Sequence, residues 1–385
     1  MPIREDWVAG QTGHVAEHNT IGSWANDKMG RVWMDDYGRD DTALTAILSD
    51  VGADTHPRAI HFSNRSDGYD FSTVNRVPPR GMKLVGPFGF SNPEVNTQLK
   101  MNCRINLNGT GTWFTPGASD AWDCSFKNLT LVCASTASFL DNTSTGLWRG
   151  LHVENIAQKA GNGLLGTYAS GGLNVTVFTA AGYIWQNGAV NTSVHLKGSD
   201  IHLMWNSAFF DSVPANCPAY GRPHVWFDWA DNCRVGPAYI TAEGNWRSVL
   251  VDGPNPLTTT NSNSGHVDLY GWTMGGRNPT QPGNGSTLRV QGGRVTVWGG
   301  EVKWGMASPT GDSGVVHHSG GILTLKDVVY DRASGQAESV KFVYSSGGAR
   351  PAEVKGTSHT SRGGTWTGLP QVSTACDRDA YVTGV

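Results

Sequence analysis

The sequence predicts an all-β chain wound as a solenoid, with a short helical segment at its N-terminal end. Three observations carry that prediction. The 385 residues include 50 Gly and 15 Trp but only 16% charged side chains, a composition short of the Lys, Glu, Leu and Ala that long amphipathic helices need. Beyond Leu48 the chain reads as short alternating strands separated by Gly, Asn, Asp and Ser. Those strands also recur. Leu129, Leu151, Leu173 and Val194 are spaced by 22, 22 and 21 residues, and Val267, Val295 and Ile322 by 28 and 27. A near-constant stride of short strands is the mark of coils that each bury one face on the next. An antiparallel sandwich also places strands every ~10 residues, but each unit here holds several strands.

In chain order, residues 1 to 34 hold the first helix candidate, with Thr12 as cap and Val15, Ile21, Trp24, Met29 and Val32 on its apolar side. Gly22 and Gly30 weaken it, so it needs a partner to pack against. A second helix is expected over Asp40–Leu48, where acidic residues meet the positive end of the helix dipole, with Gly52 as its stop. The strand cores follow at Phe126–Leu131, Leu151–Val153, Leu173–Val177 and Ser193–Leu196. Later units lie at Asp200–Leu203, Cys233–Val235, His266–Leu269, Arg294–Val297 and Gly321–Leu325.

Charge and cysteine usage exclude several functions. With 29 Lys plus Arg against 32 Asp plus Glu, the net charge is -3, and no basic block is present to neutralise a phosphate backbone, so nucleic acid is not an expected partner. The opening Met1–Trp7 has no basic stretch followed by an apolar run, and nowhere do 18 apolar residues follow one another. Neither Sec export nor membrane insertion is expected. The six Cys, at 103, 124, 133, 217, 233 and 376, form no CxxC pair and read as mostly buried thiols.

Three motifs resemble catalytic signatures. Gly161–Gly166 spells GxGxxG, but a chain this rich in Gly contains about one such match by chance, and the following Thr-Tyr-Ala-Ser-Gly-Gly cannot open a helix for a pyrophosphate. His14, Glu17 and His18 spell HxxEH without a third ligand. Gly311–Gly314 spells GDSG without a matching upstream His motif. No cofactor and no metal are therefore expected.

Residues 40–86 add a resemblance. Asp40-Asp41-Thr42-Ala43-Leu44, Ala59-Ile60-His61-Phe62, Gly68-Tyr69 and Arg80-Gly81-Met82-Lys83-Leu84-Val85-Gly86 resemble the first coils of the pectate-lyase-like superfamily, found also in phage tailspikes. The pattern departs after Phe62, where Ser63–Asp67 replaces the usual Pro-Pro-Gly. The resemblance implies a right-handed parallel β-helix. The segment Trp7-Val8-Ala9-Gly10, followed by Val15-Ala16-Glu17-His18-Asn19, resembles the opening of tail proteins from phages of actinobacteria. That likeness implies a virion protein, made in the host cytoplasm, whose β-helix is one third of a homotrimer. It also implies attachment to other tail proteins through Trp7, Gly10, His18 and Asn19. The expected organisation is an attachment segment over 1–38, first coils with a capping helix over 39–90, the β-helix over 91–340 and a C-terminal cap over 341–385.

Strand alternation supplies the candidate ligand surface. In His224–Trp229 it sends Val225, Phe227 and Trp229 inward and leaves His224, Trp226 and Asp228 outside. The same rule exposes Asp268, Tyr270 and Trp272, then Thr296 and Trp298. Flat aromatics beside carboxylates suit sugar rings, whose C–H faces stack on indole while their hydroxyls find acceptors. Aromatics also populate subunit interfaces, so both uses of Trp226, Asp228, Asp268, Tyr270, Trp272 and Trp298 stay open. Asp228, Asp231, Glu243, Asp268 and Glu301 are the carboxylates from which a glycosidase pair would be drawn. The leading expectation is a tail fibre or tailspike-like protein that recognises host cell-surface glycan without cleaving it. The alternatives are a polysaccharide depolymerase, hydrolase or lyase, on the same fold, and a purely structural assembly spacer.

Overall fold

The computed structural model describes residues 30–54, 58–87, 103–167, 171–188, 192–212, 223–243, 247–253, 265–277, 287–304, 315–332, 342–345, 352–356, 358–361 and 376–379. The chain is a right-handed parallel β-helix. Every pairing among the described strands is parallel, and strands inside the stack pair with their counterparts one coil earlier and one coil later.

Three stacked ladders of strands enclose one core. In the first, Val32, Ile60, Leu84, Phe126, Val153, Ala180, Leu203, Val235, Leu269, Val297, Leu325 and Val354 stand in a single register column, and all are buried. The third has its own column, Phe114, Leu140, Leu165, Val194, Val225, Val249, Leu288, Val316 and Val343. In the second, Gln158 and Gln186 interrupt an otherwise apolar column between Leu131 and Phe210, and both are fully buried. Alternation puts these columns inside because successive strand residues face opposite ways.

The sequence-derived stacking of Leu129, Leu151, Leu173 and Val194 is incorrect. All four are buried, but Leu129 stacks with Ile156, Leu151 with Phe178, Leu173 with Leu196, and Val194 with Leu165 and Val225. Each coil carries aliphatic strands in all three ladders, so an even spacing can be assembled from strands of different ladders. Val267 does stack on Val295, whereas the next rung is Leu323, one residue beyond the expected Ile322.

Two corners of most coils use the left-handed backbone region. One runs through Asp123, Gly150, Val177, Asp200, Asn232, Gly265, Gly293 and Gly321, and the other through Asn128, Asn155, Gly182, Gly271, Gly299, Asp327 and Gly356, all at positive φ. Gly, Asn and Asp tolerate that geometry, which accounts for much of the glycine content. At the second corner Asn155 Nδ2 donates to Asn128 Oδ1 at 2.9 Å and its Oδ1 accepts from Tyr183 N at 2.9 Å, tying three coils together. Val177 is the exception. A β-branched residue at φ 60°, it is 49% exposed and so has few contacts to offset the strain. Val177→Gly is expected to raise the unfolding free energy by about 1 kcal/mol. A urea midpoint that stays put or falls would count against strain at this corner.

The helix, α1 (Asp41–Gly52), forms where expected. Asp40 Oδ1 accepts from Ala43 N at 3.0 Å as its cap, and Leu44, Ile47 and Val51 bury its inner face. Beneath it lies an aromatic group in which Phe62 meets Tyr69 edge-on at 5.0 Å and Phe71 stacks on Trp113 at 5.6 Å. The N-terminal helix candidate fails at its described end, because Val32 belongs to the strand Arg31–Trp33, paired with Ala59–His61. The remainder of that candidate lies outside the described residues, as do Trp7, Gly10, His18 and Asn19, the HxxEH segment and Gly311–Gly314. Gly163–Leu165 is a strand paired with Ser138–Leu140, so the GxGxxG match opens no helix. Cys124, Cys133 and Cys233 are buried free thiols, and burial pushes all three upward in pKa, Cys124 to about 12. Among the described residues no helix is long and apolar enough to cross a membrane.

One buried titratable group tests the core directly. His318 stands in the inward column with Phe227, Val251 and Val290 and is fully buried. Its Nδ1 lies 3.0 Å from Ser345 Oγ and its Nε2 3.2 Å from Gly321 O, an arrangement that suits the neutral ring. Burial holds its pKa below the ordinary value of 6.5, partly countered by the Gly321 and Gly320 backbone. A depressed folded-state pKa means the stabilising contribution is complete above the unfolded value and is lost as pH falls. His318→Gln is therefore expected to lose less stability than wild type between pH 7.5 and pH 5. Equal losses would remove His318 from the acid response.

Candidate ligand-binding faces

The clearest surface site is built on two adjacent rungs of the first ladder. In His266–Tyr270 and Arg294–Trp298, Val267, Leu269, Val295 and Val297 take the core positions, which turns Asp268, Tyr270, Thr296 and Trp298 outward. Register places Tyr270 directly against Trp298 and Asp268 against Thr296. The two rings are nearly parallel, 10° apart with centroids at 6.2 Å, and Trp298 remains 39% exposed. Lys326, one rung further, holds its Nζ 3.9 Å from the centroid of the Trp298 ring.

Asp268 is the polar centre of this face. Its Oδ1 lies 3.4 Å from His266 Nε2, and Tyr270 Oη reaches its Oδ2 at 3.5 Å. Burial pushes the carboxyl up in pKa, but His266, the Trp298 indole N–H and the Thr296 hydroxyl outweigh it and hold it below the usual carboxylate range. Asp268 is thus an ionised acceptor beside an exposed indole.

Trp272 does not join this surface. The left-handed Gly271 resets the alternation, so Trp272 turns inward, is fully buried, and donates its Nε1–H to Val235 O at 3.3 Å. Trp226 faces outward but on the third ladder, in register with His195 and Leu250. Its ring lies flat on the His195 imidazole, 7° from parallel at 4.0 Å. The expected single row of Trp226, Tyr270 and Trp298 therefore divides between two ladders.

Around Trp226 the structure corrects the expected exposure of three residues. His224, expected outside, is fully buried with Nδ1 against Ser193 Oγ. Asp228 faces outward but is only 7% exposed, with Oδ2 at 3.1 Å from His195 Nε2 and 2.9 Å from Lys197 Nζ. Burial raises its pKa, but these two neighbours outweigh that and leave it below the ordinary range. Trp229, expected inside, is 58% exposed at φ 58°. Phe227 pairs with Leu196 but Ala230 with Gly198, so Asp228 and Trp229 together oppose Lys197, and this bulge throws Trp229 outward.

The candidate carboxylates are dispersed. Asp228, Asp268 and Glu301 belong to the third, first and second ladders, so no two of these three flank one cleft. Glu243 ends a strand of the second ladder. Asp231 is joined to Asp268 through His266, whose backbone N–H donates to Asp231 Oδ1 at 3.1 Å. Among the described residues no cluster of three or more His, Cys, Asp or Glu is arranged to hold a metal ion.

Two further features were not read from the sequence. Trp185, Phe209 and Tyr239 stack on the outside of the second ladder, with centroids 6.0 and 5.8 Å apart. A cleft of about 530 Å³ opens beside Thr112, Ser138, Asp141 and Thr167, lined by polar side chains, with Asp141 Oδ2 accepting from Thr167 Oγ1 at 2.7 Å. Both depend on register between distant strands, and the sequence offers only a general richness in Asn and Thr as a sign of the cleft.

No protein-family model and no curated protein matches the chain. The functional reading therefore rests on the geometry of these faces and on the short resemblances above.

Proposed function

We propose that the protein is a tail fibre or tailspike-like virion component that recognises host cell-surface glycan through Asp268, Tyr270 and Trp298. The observation that carries the ligand reading is the pair of stacked rings, open at Trp298 and adjoining an ionised carboxylate. A sugar ring stacked on the indole would find its hydroxyl acceptor in Asp268. The virion reading is supported by the resemblance of residues 7–19 and 40–86 to phage tail proteins. It brings with it a homotrimer joined to other tail proteins through residues 1–38. The dispersion of Asp228, Asp268 and Glu301 over three ladders favours binding over depolymerisation.

The test is to incubate labelled protein with a panel of actinobacterial cells and with their isolated envelope polysaccharide, measuring retention and new reducing ends or unsaturated products together. Retention without cleavage is the expected result. Robust cleavage would move the protein to the depolymerase class, and no retention on any host whose phage carries it would favour an assembly spacer.

A further inference from the structure

Resting on that reading, we infer that the glycan bound by the Tyr270–Trp298 face is an anionic polysaccharide, one bearing carboxylate or phosphate groups, lying along the rod axis. The argument is charge complementarity. The outward rows of the first ladder carry Arg234, Arg294, Lys326 and Lys355 against Asp268 and Glu353. Glu353 is held by Lys355 Nζ at 2.5 Å and also feels the Lys326 charge at longer range, and Asp268 is held by His266, the Trp298 indole and the Thr296 hydroxyl. Among the described residues, no carboxylate lies within ion-pair distance of Arg234, Arg294 or Lys326.

These three cations share the outward face of the first ladder with the aromatic pair. Arg234 is exposed, stands in register with Asp268, and acts electrostatically on the Tyr270 hydroxyl. Arg294 is exposed on the same strand as Trp298, and Lys326 lies over the indole itself. From the rung of Arg234 to that of Lys326 is three strand spacings, ~14 Å along the axis at ~4.8 Å each. In a chain of net charge -3, this face sets three cations that have no ion-pair partner among the described residues beside the exposed Trp298. A polymer that lays acid groups alongside the sugars stacked on Trp298 would supply the anionic partners that this face does not provide for itself. A neutral glycan would use the rings and Asp268 and leave the cations unanswered.

The experiment is calorimetric titration of the full chain with polygalacturonate and with its carboxyl-reduced form, which share a backbone and differ in charge. At 50 mM NaCl the acidic polymer is expected to bind about tenfold or more tightly, an advantage that shrinks at 0.5 M NaCl as screening lengths fall. Arg294→Gln and Lys326→Gln are each expected to reduce that advantage severalfold, and Arg294→Gln to leave binding of the reduced form unchanged. Circular dichroism confirms that the variants stay folded.

Equal binding of the two forms, or a preference untouched by both variants, overturns the inference while leaving the glycan reading intact if Trp298→Ala still weakens binding. Binding of a DNA duplex as tightly as polygalacturonate overturns it in favour of a general polyanion patch. Binding of neither polymer also overturns it, and the cell-envelope assay then judges the glycan reading separately.

Discussion

Gly293→Val is expected to destabilise the protein by about 3 kcal/mol or more, enough to lose soluble protein at growth temperature. Gly293 holds φ 71° in the corner stack between Gly265 and Gly321, and a Cβ there would sit 2.4 Å from Gly265 O. Its own carbonyl lies 2.3 Å from where a Cβ on Gly321 would be, so any relaxation passes to the next coil. Val177 occupies the same corner several coils earlier at φ 60°, but with half its surface open to solvent. Strain alone is therefore survivable, and the added backbone clash makes Gly293 the costlier position. A urea midpoint of Gly293→Val equal to wild type would refute this account of the corners.

Trp298→Ala is expected to weaken binding to envelope polysaccharide by about 1–3 kcal/mol, roughly 5- to 150-fold, with folding nearly unchanged. The ring is 39% exposed and its contacts are with Tyr270, Asp268 and Lys326 on the outside of the coil, so its removal opens no core cavity. Trp272→Ala makes the contrast. That side chain is fully buried against Phe227 at 6.1 Å, and its loss is expected to cost about 3–5 kcal/mol of stability. Dissociation or aggregation of Trp298→Ala, in place of lost binding, would assign the ring to a subunit interface.

The solenoid was legible because its physical requirements repeat. A coil needs turn residues at each corner and apolar residues at alternate positions, and both recur along the chain. The register was not legible, because three ladders present equivalent aliphatic strands and nothing in Leu129, Leu151, Leu173 and Val194 says which ladder each belongs to. Alternation placed Tyr270 and Trp298 correctly within continuous strands and failed where a left-handed residue interrupts the count, at Gly271 before Trp272 and at the bulge that carries Trp229. Asp228 was read as an open carboxylate because its orientation is outward. Its closure by His195 and Lys197 needs two residues some 30 positions earlier in the chain. The Trp185–Phe209–Tyr239 stack and the polar cleft by Asp141 arise from the same kind of long-range register.

Trp298 as the floor of a glycan site can be seen by ¹⁹F NMR of protein labelled with 5-fluorotryptophan. The Trp298 resonance is assigned through Trp298→Phe, and envelope oligosaccharide is then added to saturation. This resonance is expected to shift while those of the buried Trp113, Trp148 and Trp272 hold their positions. A Trp298 signal that stays fixed while the exposed Trp229 moves would contradict it and place the ligand on the third ladder.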